Sequence, residues 1–171
     1  MKTIITSFLL ICSLHINAQD IDTYLKFTNP AIVGPESYGG KTGCFLLTGF
    51  TYDLQTNNGK ILPGSLKMNI IENSKLPDIW SLFLATTPIS LEIYQFKTIS
   101  TNPSLFRTII LKNAYINAIK YNSDTQNAGN HELDFWMNQF SFEYRVFNSN
   151  GSLVSTHTTG WDFVNNTIFN F

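Results

Sequence analysis

Side chains able to do chemistry are sparse in this 171-residue chain, and they are scattered. Of its three histidines, His15 falls in an N-terminal apolar run, while His131 and His157 stand apart from any cysteine, histidine or carboxylate at metal-ligand spacing. Both read as loop or edge residues. Cys44, between Gly43 and Phe45, could act as a nucleophile only beside a base, and none stands at a recognisable spacing. A thiol in that setting reads instead as a small buried hydrophobe. Glu132 and Asp134 share one strand face through their i, i+2 spacing, which makes either a carboxylate pair or a solvated face. Neither a Gly-x-Ser-x-Gly elbow nor a glycine-rich phosphate cradle occurs. The chain therefore reads as a non-enzyme that takes no metal and no cofactor.

The elements that must position these groups begin after a leader. Lys2 is followed by an almost wholly apolar run, Ile4 to Ile16, closing on Asn17, Ala18 and Gln19, which has the form of a signal peptide over residues 1–19. The run is too short to cross a bilayer as a helix, which takes about 20 apolar residues, and no later stretch reaches that length. A secreted protein beginning near Asp20, periplasmic or extracellular and without a membrane span, is expected. Cys12 leaves with the leader, so Cys44 has no partner for an internal disulfide. What remains fits one domain with one core. Lys2 is one of 11 basic residues against 12 acidic ones, so the exported chain is slightly acidic and carries no basic stripe for nucleic acid.

Period-two alternation dominates the text. "DIDTYLKF" places Ile21, Thr23, Leu25 and Phe27 on one side, and "GSLKMNIIE" places Leu66, Met68 and Ile70 opposite Lys67 and Asn69. Gly49 within "CFLLTGFTYDLQ" marks a bend or bulge. In "ELDFWMNQFSFEYRVF", Leu133, Phe135 and Met137 alternate first, and Phe140, Phe142, Tyr144 and Val146 follow on the opposite parity. The switch near Asn138 and Gln139 implies the sharp bend that closing a sheet into a barrel demands. Asn150-Gly151 signals a hairpin turn, and residues 56–64 and 122–130 read as turn-rich connections. One helix is expected in "SKLPDIWSLFLATT", with Ser74 as N-cap, Pro77 and Asp78 in the first turn and Pro88 as the stop. With 14% aromatic and 13% charged residues, the chain has more apolar surface than a lone domain readily hides.

The order of the pieces adds a resemblance. A first strand "TYLKF", then Gly34-Pro35-Glu36-Ser37, a strand "CFLLTGFTYDLQ", a strand "LKMNIIENS" running into the helix, further alternating strands and the closing "TGWDFVNN" resemble the Hcp family (hemolysin-coregulated proteins), the tube protein of type VI secretion systems. The likeness spans about residues 20–166. It implies a mainly β fold, a small two-sheet β-barrel with one α-helix alongside, and hexameric rings stacked into a tube whose lumen can carry effectors. Sheath, spike and effector proteins are the partners it implies. Gly34, Glu36, Ser37, Gly160, Trp161 and Asp162 would carry the family motif and barrel closure. In that frame Gly160 lets the backbone turn tightly, and Asp162 accepts turn amides. Trp161 covers the barrel end, with burial worth about 2–3 kcal/mol. Thr56, Asn57, Asn58, Gly59 and Lys60 would form a ring-stacking loop, and exposed Tyr94, Phe96, Phe142 and Tyr144 would supply subunit contacts. The alternative is a secreted Hcp-like β-barrel that binds glycan or protein outside the cell through exposed Tyr38, Tyr52 or Trp136.

Overall fold

A computed structural model describes residues 21–99, 101–122 and 129–169; the expected signal peptide lies outside the described residues. The alternating segments become β1 (Ile21–Asn29), β2 (Ala31–Ile32), β3 (Glu36–Tyr38), β4 (Lys41–Asn57) and β5 (Lys60–Ile71). Helix α1 (Leu76–Leu84) follows, and then β6 (Ile89–Ile99), β7 (Asn102–Asn122), β8 (Asn130–Trp136), β9 (Gln139–Phe147), β10 (Leu153–Asp162) and β11 (Thr167–Ile168). All pairings are antiparallel. β6, β1, β4, β5 and β8 lie side by side in that order, and β7 bonds to both β6 and β8, which closes a circuit of six strands.

The long β7 makes closure possible. Its one edge pairs with β6 through Asn102 to Ala114, and its other edge takes β9 at Arg107–Lys112 and then β8 at Tyr115–Asn122. β8 and β9 are thus two halves of one antiparallel partner, bent at Met137-Asn138, where the hydrophobic parity switches. Opposite the bend, Asn113 takes a left-handed conformation (φ 52°) that a residue other than glycine adopts mainly when it is Asn or Asp. At this corner the outer neighbour changes from β5 to β10, so β9, β10 and β11 leave the circuit as a wing. The β9–β10 hairpin turns at Asn148–Ser152, with Gly151 at φ 86° and its N–H donating to Asn148 O at 3.1 Å.

The interior is apolar. Leu25, Leu66, Met68, Leu91, Ile93, Ile109, Leu111 and Leu133 have no exposed surface, and each contributes about 1.5–3 kcal/mol by leaving water. α1 adds Leu76 and Ile79 to this core, with Trp80, Leu82 and Phe83 packed partly against it. The helix starts differently from the sequence expectation. Its N-cap is Lys75, not Ser74, and the Asn73 side chain accepts the Lys75 N–H at 2.9 Å.

A second, smaller cluster lies on the other face of β1 and β6, made of Tyr24, Cys44, Tyr94 and Phe96. Tyr38 of β3 covers it, stacking on Tyr24 at 4.9 Å and meeting Phe96 edge-on at 5.1 Å. β1 and β6 are therefore apolar on both faces, which is why their alternation blurs.

Candidate functional site

The residues singled out for catalysis stay apart. Cys44 is fully buried, burial raises its thiol pKa, and its Sγ faces Thr42 O at 3.7 Å. His131 is neither loop nor edge: it sits in β8 between β5 and β7, 7% exposed, against the Tyr121 ring. Burial lowers its pKa, and Nδ1 has no acceptor or donor beside it. His157 is exposed on β10 and meets Ser155 Oγ at 3.1 Å. Glu132 accepts Lys120 Nζ at 3.1 Å, a surface ion pair. Among the described residues no three histidine, cysteine or carboxylate groups gather around a point that could hold a metal.

What the fold does gather is unpartnered strand edge. β1 accompanies β4 only at Phe45–Leu47, and β8 accompanies β5 only from Leu66 onward. Between these limits β4 and β5 run as a two-stranded arm, and residues 51–60 are all exposed. The expected loop at 56–64 is therefore not a loop. Thr56, Asn57 and Lys60 are strand residues, and the turn is Asn58-Gly59 alone, with φ 49° and 76° as a tight hairpin with left-handed central residues requires. A lone two-stranded hairpin is marginal in water. Two contacts steady this one, the Ile61 N–H on Asn166 Oδ1 at 3.3 Å and Tyr52 against the Phe140 ring at 5.8 Å. A bulge at Gly64-Ser65 of β5, opposite Asp53, interrupts the ladder, and Gly64 lets the Asp53 carbonyl approach where a Cβ would stand 2.5 Å away.

The wing supplies a second open edge. From Leu153 to Thr159 the outer side of β10 has no strand beside it among the described residues, and Leu153 and Val154 are 54% and 64% exposed. On its face Phe142 and Tyr144 stack half-buried, ring centres 6.4 Å apart. Tyr94 and Phe96, expected beside them as exposed contacts, are instead 2% and 1% exposed in the second cluster. They became core because the β3 hairpin folds over their face.

The closing residues are also placed differently from their expected roles. Gly160 lies inside extended β10, paired with Ser141, and makes no turn. Its lack of a side chain serves close approach instead, since a Cβ would stand 2.2 Å from Phe169 O. Trp161 is half-buried on the wing, paired with Phe140 and Ile168, outside the barrel core it was expected to cover. The Asp162 carboxylate accepts the Asn165 N–H at 2.8 Å, Gln139 Nε2 at 2.9 Å and Asn165 Nδ2 at 3.0 Å. The Asn165 backbone bond, then the Gln139 amide, hold its pKa below the usual carboxylate value. Gly34 likewise permits close approach, with a Cβ there 2.2 Å from Cys44 O, and Glu36 and Ser37 pair with β4 as exposed residues of β3.

Solved structures with this architecture decide the fold. One described as a type six secretion system protein superposes with a TM-score of 0.78 at 16% identity, covering 88% of this chain and 100% of that one. Hcp1 from Salmonella typhimurium gives 0.71 at 14%, covering 87% and 99%, and the secreted protein Hcp3 from Pseudomonas aeruginosa gives 0.65 at 12%, covering 84% and 99%. The chain has the Hcp fold. No protein-family model matches the sequence, and no curated protein does. Among the described residues no helix is long and apolar enough to cross a membrane. Within the Hcp frame, the arm and the wing edge stand out as the parts that packing inside one chain leaves without neighbours. The arm and its bulge escaped the sequence reading; the Asn58-Gly59 dipeptide between alternating segments was the signal for the arm.

Proposed function

We propose that this chain is a ring-forming structural protein, a tube subunit of the type VI secretion kind, six copies closing into a ring that stacks and carries small effectors in its lumen. The observation that carries this reading is the arm over residues 51–60, exposed along its whole length and too thin to be stable alone. Cover from a neighbouring copy stabilises both it and the open side of β10. Likeness to solved Hcp structures over nearly their full length supports the same reading. Sheath, spike and effector proteins are then its partners, and export through the 1–19 leader places it outside the cytoplasm. The test is the mass of residues 20–171 by light scattering across a concentration series. A mass of six copies supports the ring, and a single-chain mass at the highest concentration refutes it.

A second reading, an exported glycan- or protein-binding module, is favoured by one feature. Trp136 is 52% exposed beside Leu62, Pro63, Met137, Phe163 and Val164, which line a groove of about 320 Å³. A single-chain mass together with glycan binding lost in Trp136→Ala would select it.

A further inference from the structure

Arg107 stands in a row that crosses five strands. Thr23, Gln95, Arg107, Tyr144 and His157 occupy matched register positions on β1, β6, β7, β9 and β10. Its Nη1 donates to Gln95 Oε1 at 2.9 Å, and Gln95 Nε2 donates on to Thr23 Oγ1 at 3.2 Å. The guanidinium lies 5.3 Å from the ring centres of Phe106 and Phe142 and 5.9 Å from that of Tyr144. Every one of these neighbours is uncharged. Among the described residues no carboxylate lies within ion-pair distance of Arg107, and its Nε is buried without an acceptor. A half-buried guanidinium whose five donors meet one amide oxygen is electrostatically incomplete. Its planar fork suits a carboxylate.

The opposite deficit sits on the arm. Asp53 lies opposite the bulge that Gly64 and Ser65 make in β5, and it is exposed. Gln55 Nε2 donates to it at 3.0 Å, and no cation lies within ion-pair distance among the described residues. Tyr52 and Leu54 flank it, 39% and 41% exposed.

We propose that the arm of one copy lies across the wing of the next, with the Asp53 carboxylate on the Arg107 guanidinium beside Phe142 and Tyr144. This rests on the ring reading above and names the contact that builds it. The two patches differ, so the contact is heterologous and repeats around a ring, whereas a twofold dimer would need one patch to meet itself. Complementary charge sets which copy edge meets which and in what register.

The experiment compares the exported chain with Asp53→Arg, Arg107→Asp and the exchanged double variant, by light scattering over a dilution series, with circular dichroism as the check on folding. Asp53→Arg changes only an exposed arm residue, so its result stands whatever Arg107→Asp does to folding. The expected outcome is a rise of about 10-fold or more in the half-dissociation concentration for each single variant, largely recovered in the double. A ring-forming parent with Asp53→Arg unchanged overturns this contact and leaves the ring reading standing. A parent that stays solitary overturns both.

Discussion

Gly160→Ala adds one methyl group at the point where the wing is most tightly laced. Gly160 pairs with Ser141 of β9 on one side, and on the other its carbonyl accepts the Phe169 N–H at 3.0 Å. A Cβ there would fall 2.2 Å from Phe169 O, 2.9 Å from Phe140 O and 3.2 Å from Ser141 Cβ. The two nearest atoms are backbone carbonyls, so no rotamer change relieves the overlap. Ordinary contact requires the Phe169 backbone to retreat by more than about 1 Å. Overpacking of this kind costs about 1–3 kcal/mol. In a chain of this size each kcal/mol lowers the melting temperature by about 2–4 °C, so a fall of about 2–12 °C is expected by circular dichroism. Thr158→Ala, on the same strand but exposed, is the control and stays within about 0.5 kcal/mol of the parent. Hydrogen exchange locates the yielding part: the Phe169 amide opens faster in Gly160→Ala, while β9 amides facing β7 do not. A melting temperature within about 1 °C of the parent would falsify the crowding argument.

Two further outcomes follow from the same geometry. Asp162 has a folded pKa below its unfolded 3.8, so it stabilises the fold above that pH, and the contribution disappears as pH falls through the folded pKa. Asp162→Asn should therefore melt lower than the parent at neutral pH, with the gap narrowing on acidification below about 4; a gap constant with pH sinks the assignment. The Cys44 thiol, fully buried and raised in pKa, should stay silent towards a thiol-specific chromogenic reagent until denaturant unfolds the chain. Full labelling of the native protein within seconds would contradict its place in the core.

The strands that form the circuit could be read from alternation because each has one face on a single interior. Leu66, Met68 and Ile70 point inward as their spacing demands, and the parity switch after Met137 matches the corner where β8 gives way to β9. What alternation hides is a second layer on the same strand. Tyr94 and Phe96 looked like contact residues because nothing local announces that β3, more than fifty residues earlier, folds over them. The arm was hidden for the opposite reason: with Pro63 and Gly64 in β5 and no buried residue to mark a face, residues 56–64 carry the vocabulary of a loop. Gly160 shows a third limit, since sequence reports that a side chain is missing but not which neighbour would occupy the space. Arg107 falls under it too, because its bond to Gln95 of β6 is a matter of register.

β7 serves the closed circuit along one edge and part of the other, and anchors the wing along the rest. Its partner β9 runs antiparallel to it through six register pairs, Arg107 with Tyr144 to Lys112 with Gln139. A push or pull along that axis loads all these bonds together in shear, whereas a sideways force would unzip them one at a time. A thrust aligned with the strands is thus carried by the whole ladder at once, and the molecule should resist mechanical strain far better in that direction than across it.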